Sequence, residues 1–337
     1  MGSRTLNTFC KAPFNNMYFN TKGHVAPCWK LLGALEDWTP DRSMKDIWTG
    51  EHFNKFRESL TNDTYLDRCK ECKQDADNDV WPLAKAYEDM PIQEYPSMLE
   101  LEMSNKCNLE CIMCSADLSS GLARRQGLPL LQPYDESFKD QIKEFIPHLK
   151  ELRFNGGEPF AQELVLQICD EVIKLNPDLP ISIATNGTVL NKRVKYLMKE
   201  CRLQINVSID SLIPERYAKI RVNAQLDKVL NNLEVFKEYC KTYDRQLSIM
   251  VNPMRNNWEE MPKFLDFVEE NKIKLWFNTI LYPEDLSIWK LSPEELTEVY
   301  TKLSKETLYR RGMKEHHKLH HLVEDQIKNW MLDSYAR

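Results

Sequence analysis

Three cysteines stand within eight residues, directly after a strand-like run, and this grouping constrains the chain more than any other feature. They are Cys107, Cys111 and Cys114, in the spacing C-x3-C-x2-C. Thiolates are soft ligands that suit iron–sulfur clusters and zinc. Three of them can hold three corners of one cubic cluster, whereas a structural zinc site needs a fourth ligand nearby. No His or Cys follows within the next thirty residues. The spacing therefore predicts an iron–sulfur cluster with one open iron.

Two further motifs each follow a strand-like run. Asn155-Gly156-Gly157-Glu158-Pro159 comes after Glu151–Phe154, and Ala184-Thr185-Asn186-Gly187 comes after Ile181–Ile183. With the three cysteines, these motifs resemble the signature of the radical S-adenosylmethionine (SAM) enzymes. The resemblance implies that a [4Fe-4S] cluster on Cys107, Cys111 and Cys114 binds SAM and cleaves it reductively. The product is a 5′-deoxyadenosyl radical that abstracts a hydrogen atom from the substrate.

The resemblance also implies which residues contact SAM. Gly156 and Gly157 would let the backbone approach the methionine amino group, and Glu158 and Pro159 would shape the bend. Arg221 stands where related enzymes hold the SAM carboxylate, although an arginine on an exposed helix surface is the alternative. Met113 replaces the aromatic residue that usually precedes the last cysteine. The SAM contacts implied for the ribose, the methionine or the adenine are Asn186, Ser208 and Met113.

Four other cysteines form a second set near the start of the chain. Cys10, Gly23 and Cys28 have the spacing C-x12-G-x4-C, and Cys69-Lys70-Glu71-Cys72 closes the segment. The pattern resembles the SPASM or twitch module, which carries an auxiliary cluster; in the family this module usually follows the radical SAM core. We expect Cys10, Cys28, Cys69 and Cys72 to hold one auxiliary [4Fe-4S] cluster, and a structural zinc site is the alternative. Gly23 predicts a hairpin-like turn between the two flanks.

Strand-like and helix-like runs alternate after residue 97. The strand-like runs are Met98–Met103, Glu151–Phe154, Ile181–Ala184, Leu203–Ile209, Leu247–Asn252 and Lys274–Thr279. This alternation predicts an α/β fold with a parallel sheet, because parallel strands need crossover connections. It matches the partial (β/α)6 TIM-like barrel of the radical SAM core. The predicted domains are an N-terminal cluster module (1–75), a proline-containing linker (76–96), the partial barrel (97–280) and a helical C-terminal extension (281–337).

Composition sets further limits. A net charge of −6 and a pI near 5.8 argue against nucleic acid or an anionic membrane as a partner. No run of eighteen apolar residues and no signal-like N-terminus are present, which predicts a cytoplasmic protein. Cys169, Cys201 and Cys240 stand singly in helical patterns and predict core packing. The histidines of Glu315–His321 are interpreted as a solvated helix face rather than a metal site.

The resemblance implies a radical SAM oxidoreductase or maturase. Its expected substrate is a peptide or protein side chain, which it would oxidise, crosslink or epimerise, with the auxiliary cluster as an electron relay. A dehydrogenase or epimerase of a small metabolite is one alternative, and a non-catalytic iron–sulfur or zinc protein is another. A flavodoxin or ferredoxin would supply electrons. Three residues at strand ends are candidate substrate contacts, with loop capping as the alternative: Asp210, Asn252 and Asn278.

Overall fold

The six strands expected after residue 97 are all present in the computed structural model. The structure describes residues 8–31, 34–77 and 83–336. The chain divides into two compact units, which are described separately. The N-terminal unit comprises Met1–Cys107, Ala116–Ile183 and Asn191–Leu203, and the C-terminal unit comprises Asn108–Ser115, Ala184–Leu190 and Gln204–Arg337. The predicted domain boundaries are based on sequence and remain a prediction.

The N-terminal unit is built on a sheet with the strand order β3-β2-β1-β4-β5-β6. Its last three strands are parallel, with Leu99 opposite Leu152 and Leu152 opposite Ile181. β5 and β6 alternate buried and partly exposed residues, so one face of each strand is more accessible than the other. The strands are β1 (Asn16–Phe19), β2 (His24–Ala26), β3 (Glu36–Asp37), β4 (Met98–Leu101), β5 (Glu151–Phe154) and β6 (Pro180–Thr185).

The cysteine-bearing segment at the start of the chain joins this sheet, which its sequence does not predict. β1 lies parallel to β4, with Asn16 opposite Met98. β1 and β2 form the expected antiparallel hairpin, and Gly23 has the positive φ of +89° that such a turn needs. The α-helices of this unit are α1 (Ala12–Asn15), α2 (Met44–Trp48), α3 (Glu51–Thr61), α4 (Asp67–Asp77), α5 (Ser120–Arg125), α6 (Glu136–Phe145), α7 (Glu163–Leu175) and α8 (Lys192–Glu200).

Three parallel strands organise the C-terminal unit in the order β7-β8-β9. Helices connect them, so the βαβ alternation expected from the sequence continues to the end of β9. The strands are β7 (Arg202–Ser208), β8 (Leu247–Val251) and β9 (Lys274–Phe277), and the helices between them are α9 (Pro214–Ile220), α10 (Leu226–Thr242) and α11 (Met261–Asn271). The fold is therefore mixed α/β with parallel strands, as predicted, and no closed barrel is formed by the described residues.

The tail beyond residue 281 is helical, as predicted. Ser292 caps its first helix, and Glu295 completes the capping box by accepting from the backbone of Ser292. Arg310 ties the tail to α11 through two hydrogen bonds to Asp266, of 2.9 and 2.7 Å. The tail consists of α12 (Pro293–Tyr309), α13 (His316–His320), a π-helical stretch (His321–Ile327) and α14 (Lys328–Ala336).

Candidate active site

In the N-terminal unit, the glycine loop after β5 packs directly against the segment that leads to Cys107. Gly156 and Gly157 both have positive φ, +70° and +55°. A Cβ atom on Gly157 would lie 2.5 Å from the Lys106 carbonyl oxygen and 2.9 Å from that of Ser104. The backbone N–H of Glu158 donates to the same Lys106 oxygen at 2.9 Å. Only glycine fits position 157, because both the space and the backbone conformation exclude a side chain.

Glu158 and Pro159 begin the turn that follows the two glycines. Glu158 is fully buried, and its Oε1 accepts from the backbone N–H of Phe160 at 3.1 Å. This bond caps a short 3-10 turn, Pro159–Ala161. The Gln162 side-chain amide donates to the carbonyl oxygens of Gly156 and Ser104, at 3.1 and 3.3 Å. These hydrogen bonds hold the loop from within, and Gly156 and Gly157 remain partly exposed.

Cys107 ends the N-terminal unit and is fixed by the start of α5. Its backbone N–H donates to Ser120 Oγ at 3.2 Å, and the Ser120 hydroxyl donates to the Cys107 carbonyl oxygen at 3.1 Å. Cys111 and Cys114 belong to the C-terminal unit, where the Cys114 N–H donates to the Cys111 carbonyl oxygen at 3.0 Å. The cysteines are thus carried by a turn rather than by a regular helix.

Within the C-terminal unit, the cysteine loop is joined to the loop that follows β6. The Asn186 amide donates to Asn108 Oδ1 at 3.0 Å, and the Asn108 amide donates to Thr188 Oγ1 at 2.8 Å. Gly187 has a φ of +72°, and a Cβ there would meet Val207 at 2.8 Å. Asn108 and Thr188 were not identified from the sequence; the position of Asn108 between two cysteines was the available signal.

Arg221 is buried and not an exposed helix arginine, so the alternative reading of this residue was wrong. Its Nε donates to Asp210 Oδ2 at 2.7 Å, and its Nη1 lies 3.9 Å from the Cys111 sulfur. Only 7% of Arg221 and none of Asp210 is exposed. Burial lowers the pKa of Arg221, but Asp210 and, to a smaller extent, Cys111 and Tyr217 act in the opposite direction, and the pKa is raised overall. The pKa of the Cys111 thiol is raised by burial, with Arg221 acting in the opposite direction.

A buried hydroxyl near this pair has no hydrogen-bond partner in the described part of the chain. It belongs to Tyr217, which is fully buried on α9. Burial raises the pKa of Tyr217 to about 12, and its charged neighbours are Arg221, Asp210 and Cys111. Buried hydroxyls are rarely left without a partner. An acceptor next to Cys111, such as the sulfur of a bound cluster, would give this hydroxyl its missing partner. The thiol of Cys111 also suits such a cluster as a ligand.

The four cysteines of the second set line one pocket, and their role as cluster ligands stays a prediction. Cys10, Cys28, Cys69 and Cys72 all line the pocket, and their other neighbours are mainly apolar. The pocket encloses about 340 Å³ of empty space, part of which opens to solvent. Burial raises the pKa of Cys10 and Cys28 to about 12 and that of Cys69 to about 11. Thiols this far from ionisation become ligands only when a metal drives deprotonation. Four such donors fit one four-iron cluster, and chemically they would also fit zinc.

Glu102, directly after β4, is an acidic side chain that the sequence did not single out. Tyr18 Oη donates to its Oε2 at 2.7 Å, and its backbone N–H donates to the Phe19 carbonyl oxygen at 2.8 Å. A Cβ on Gly156 would come within 2.7 Å of Glu102 Cβ. Burial raises the pKa of Glu102 to about 7, while the Tyr18 bond acts to lower it. The available signal was the alternation of leucine and glutamate in Leu99-Glu100-Leu101-Glu102.

The titration of Glu102 predicts a change in stability with pH. Because the pKa of the folded protein lies above the ordinary value of 4.5, folding favours the protonated acid, and stability falls as pH rises from about 4.5 to about 7. Glu102→Gln keeps the hydrogen-bonding shape but does not ionise. We expect the variant to gain on the order of 2 kcal/mol over the wild type between pH 5 and pH 8, measured by anaerobic urea unfolding.

Glu294→Gln, at an exposed position of α12, is the matched control and should follow the wild type at both pH values. Equal pH dependence of the Glu102→Gln variant and the wild type would contradict the assignment. Infrared spectra give an independent measurement. The carboxylic acid band of the wild type should disappear near pH 7 and be missing in Glu102→Gln.

The candidate substrate residues lie at the ends of β7, β8 and β9 in the C-terminal unit. Asp210 accepts from the backbone N–H and the side-chain amide of Asn252, at 2.7 and 2.9 Å, so its contacts are those of a buried anchor. Asn278 lines a pocket that includes Trp289 and Trp330 of the helical tail. Ser208 is the last residue of β7 and is partly exposed, as is Met113.

The histidine segment of the tail behaves as expected of a solvated face. His317 and His320 are exposed, and His321 pairs with Asp325 at 2.7 Å. Cys169, Cys201 and Cys240 are buried, as expected of core residues. In residues 8–31, 34–77 and 83–336, no group of three Cys, His, Asp or Glu side chains is arranged to hold a single metal ion.

Comparison with protein families confirms the resemblance. The model of the radical SAM superfamily matches residues 101–268, which include the three clustered cysteines and both glycine motifs. The chain belongs to the radical SAM superfamily. A second model, the SPASM iron–sulfur cluster-binding domain, matches residues 10–73. This radical SAM protein therefore carries its SPASM domain ahead of the core, and it contains the domains that bind SAM, the SAM-binding [4Fe-4S] cluster and an auxiliary iron–sulfur cluster.

Several curated relatives are GTP 3′,8-cyclases. That of Listeria welshimeri is 26% identical over 184 residues, covering 53% of this chain and 52% of the relative. That of Paenarthrobacter nicotinovorans is 32% identical over 142 residues, covering 40% of this chain and 38% of the relative. The radical SAM chain thus spans about half the length, or less, of the curated relatives that it matches.

Solved structures also resemble this radical SAM protein. Streptococcus suis SuiB bound to S-adenosylmethionine has a TM-score of 0.47 and 15% identity, covering 79% of this chain and 60% of SuiB. Native anSMEcpe with bound AdoMet has a TM-score of 0.47 and 19% identity, covering 63% of this chain and 61% of the other.

Among the described residues, no helix combines the length and apolar character needed to cross a membrane.

Proposed function

We propose that this radical SAM enzyme modifies a peptide or protein side chain by oxidation, crosslinking or epimerisation. The proposed ligands of the SAM-binding cluster are Cys107, Cys111 and Cys114. The observation that carries the proposal is the pocket lined by Cys10, Cys28, Cys69 and Cys72. Four protein thiolates fill the coordination of a four-iron cluster, so such a cluster moves electrons rather than binding substrate. A closed second cluster suits a reaction in which the substrate radical loses an electron.

The residues around the first cluster have defined parts in this proposal. When bound, the cluster supplies the electron that converts SAM to methionine and the 5′-deoxyadenosyl radical. The backbone of Gly156 and Gly157 is proposed to approach the methionine amino group, and Glu158 and Gln162 hold the loop that carries these glycines. Asn186, Ser208, Arg221 and Met113 remain the proposed SAM contacts. Asn252 and Asn278 remain candidate substrate contacts, and Asp210 is proposed to act through Arg221 instead.

A small nucleotide is the second candidate substrate, because the curated relatives are GTP 3′,8-cyclases. The matches cover 53% and 40% of this chain. An epimerase or dehydrogenase acting on another metabolite is the remaining enzymatic alternative. A flavodoxin or ferredoxin is the proposed electron donor, and the proposed location is the cytoplasm.

One experiment separates these substrates. The reconstituted enzyme is supplied with SAM and a low-potential reductant, and is incubated either with a random peptide library or with GTP. We expect 5′-deoxyadenosine in both reactions. A loss of two hydrogens, a new crosslink or a changed stereocentre should be found only in peptides, by mass spectrometry and chiral amino-acid analysis. Modification of GTP and of no peptide would replace the peptide proposal with the nucleotide one.

A further inference from the structure

A buried ion pair in the C-terminal unit ends at the sulfur of Cys111. Asp210 is fully buried, Arg221 is 7% exposed, and Asp210 Oδ2 accepts from Arg221 Nε at 2.7 Å. On its other side, the guanidinium directs Nη1 at Cys111 Sγ, 3.9 Å away. Asp210, Arg221 and Cys111 therefore contact one another in sequence, in a region shielded from water. Interactions between charges are strong in such surroundings.

The aspartate end of this chain is fixed in place. Asp210 Oδ1 accepts from the backbone N–H of Asn252 at 2.7 Å and from its side-chain amide at 2.9 Å. The Asp210 carbonyl oxygen accepts from the Asn257 amide at 2.7 Å. Both carboxylate oxygens therefore have partners within the protein, and the group that they orient is the guanidinium. Asp210 is an anchor for Arg221 rather than a free acid.

The cysteine end is fixed as well, and by the same short segment that carries Arg221. The Glu110 N–H donates to the Val222 carbonyl oxygen at 3.1 Å, and the Ile112 N–H donates to the Ile220 carbonyl oxygen at 3.0 Å. These two bonds flank Cys111 in one segment and Arg221 in the other. They hold the backbone of Cys111 beside the backbone of Arg221.

We infer that Arg221 and Asp210 set the reduction potential of the cluster bound through Cys111. The inference rests on the proposed ligand set. A guanidinium beside a cluster thiolate stabilises the extra negative charge of the reduced cluster and raises the potential, because hydrogen bonds to cluster sulfurs and local charge are main determinants of that potential. Asp210 has the opposite electrostatic effect, and it also positions Arg221. Binding of the SAM carboxylate by Arg221 is a separate property with a separate measurement, the SAM affinity.

The test is a potentiometric titration monitored by electron paramagnetic resonance on the reconstituted full chain. The signal followed is identified in the wild type as the one that changes on addition of SAM, which separates this cluster from the auxiliary one, and the same signal is then followed in the variants without SAM. We expect Arg221→Gln to lower the potential and Asp210→Asn to raise it. Each change should alter the reduction equilibrium at least tenfold, which is about 59 mV for a one-electron couple. A purely structural role would not give shifts of opposite sign.

Two further variants complete the test. Arg216→Gln is the matched control, since Arg216 lies on α9, which ends directly before Arg221, and pairs with buried Glu260 at 2.7 Å; its potential should equal that of the wild type. The double variant Asp210→Asn/Arg221→Gln removes both charges and should return close to the wild-type potential. If Arg221→Gln does not fold, the potential of the double variant is compared with that of Asp210→Asn instead.

Shifts of the same sign in the two single variants, or an equal shift in Arg216→Gln, would overturn the inference. If Arg221→Gln does not fold, the inference would also be overturned by a double variant whose reduction potential is shifted as far as that of Asp210→Asn. These results leave the proposed function intact, because the cluster and its response to SAM are still observed. A wild-type protein with no SAM-sensitive signal and no 5′-deoxyadenosine would remove the proposed function, and the inference with it.

Discussion

Replacing Cys111 by alanine is expected to abolish SAM cleavage and to halve the iron content. The wild type should hold about eight irons per chain after anaerobic reconstitution, four in each of two clusters. The variant keeps only two ligands of the first cluster, and its buried Arg221 loses the sulfur that it faces. We expect about four irons, which are those of the auxiliary cluster. The measurements are iron analysis and chromatographic detection of 5′-deoxyadenosine with a low-potential reductant.

Cys240→Ala is the matched control for this prediction. Cys240 is a buried thiol of α10 in the same unit, and its Sγ–H donates to the Gln246 carbonyl oxygen at 3.6 Å. This variant loses a small amount of packing and should keep about eight irons and full SAM cleavage. Retention of both properties by Cys111→Ala would show that Cys111 is not a ligand. Loss of both properties in Cys240→Ala would show that the assay reports general instability.

Replacing Cys69 by alanine is expected to remove the auxiliary cluster and to destabilise the N-terminal unit. The pocket of four thiols adjoins a small core that includes Tyr18, Leu31, Phe56 and Leu60. A bound metal centre would link parts of the chain that are far apart in sequence, from Cys10 to Cys72, so metal binding contributes to the folding free energy of this segment. We expect about four irons instead of about eight, a lower melting temperature, and continued formation of 5′-deoxyadenosine. Product formation from the peptide substrate should be lost, because the electron has no acceptor.

The metal analysis of the same samples distinguishes a cluster from zinc at this site. A zinc site would give a wild type with about four irons and one zinc, and Cys69→Ala would lose the zinc but no iron. Cys201→Ala is the control, since Cys201 is a buried thiol near Cys169 in the same unit. Unchanged iron and zinc contents in Cys69→Ala would remove Cys69 from the ligand set altogether.

Much of the fold could be predicted from sequence because the determining signals are local. The alternation of buried and partly exposed residues in β5 and β6 is visible as a period of two, and the capping box of Ser292 and Glu295 is a four-residue pattern. Gly23 could be assigned to a turn because positive φ favours glycine. The placement of β1 beside β4 could not be predicted, since pairing between segments about eighty residues apart leaves no local pattern.

The sequence by itself determined the chemistry of this protein: which thiols stand close enough along the chain to share a cluster, and which glycines follow the strands. The spacing of residues is informative here because residues within one short turn must lie close together in space. Only the tertiary structure decided the surroundings of those groups. Burial raised the pKa of Glu102, and packing brought Asp210 and Arg221 to Cys111. Desolvation and contacts across more than a hundred residues depend on the whole fold, so no local pattern could have shown them.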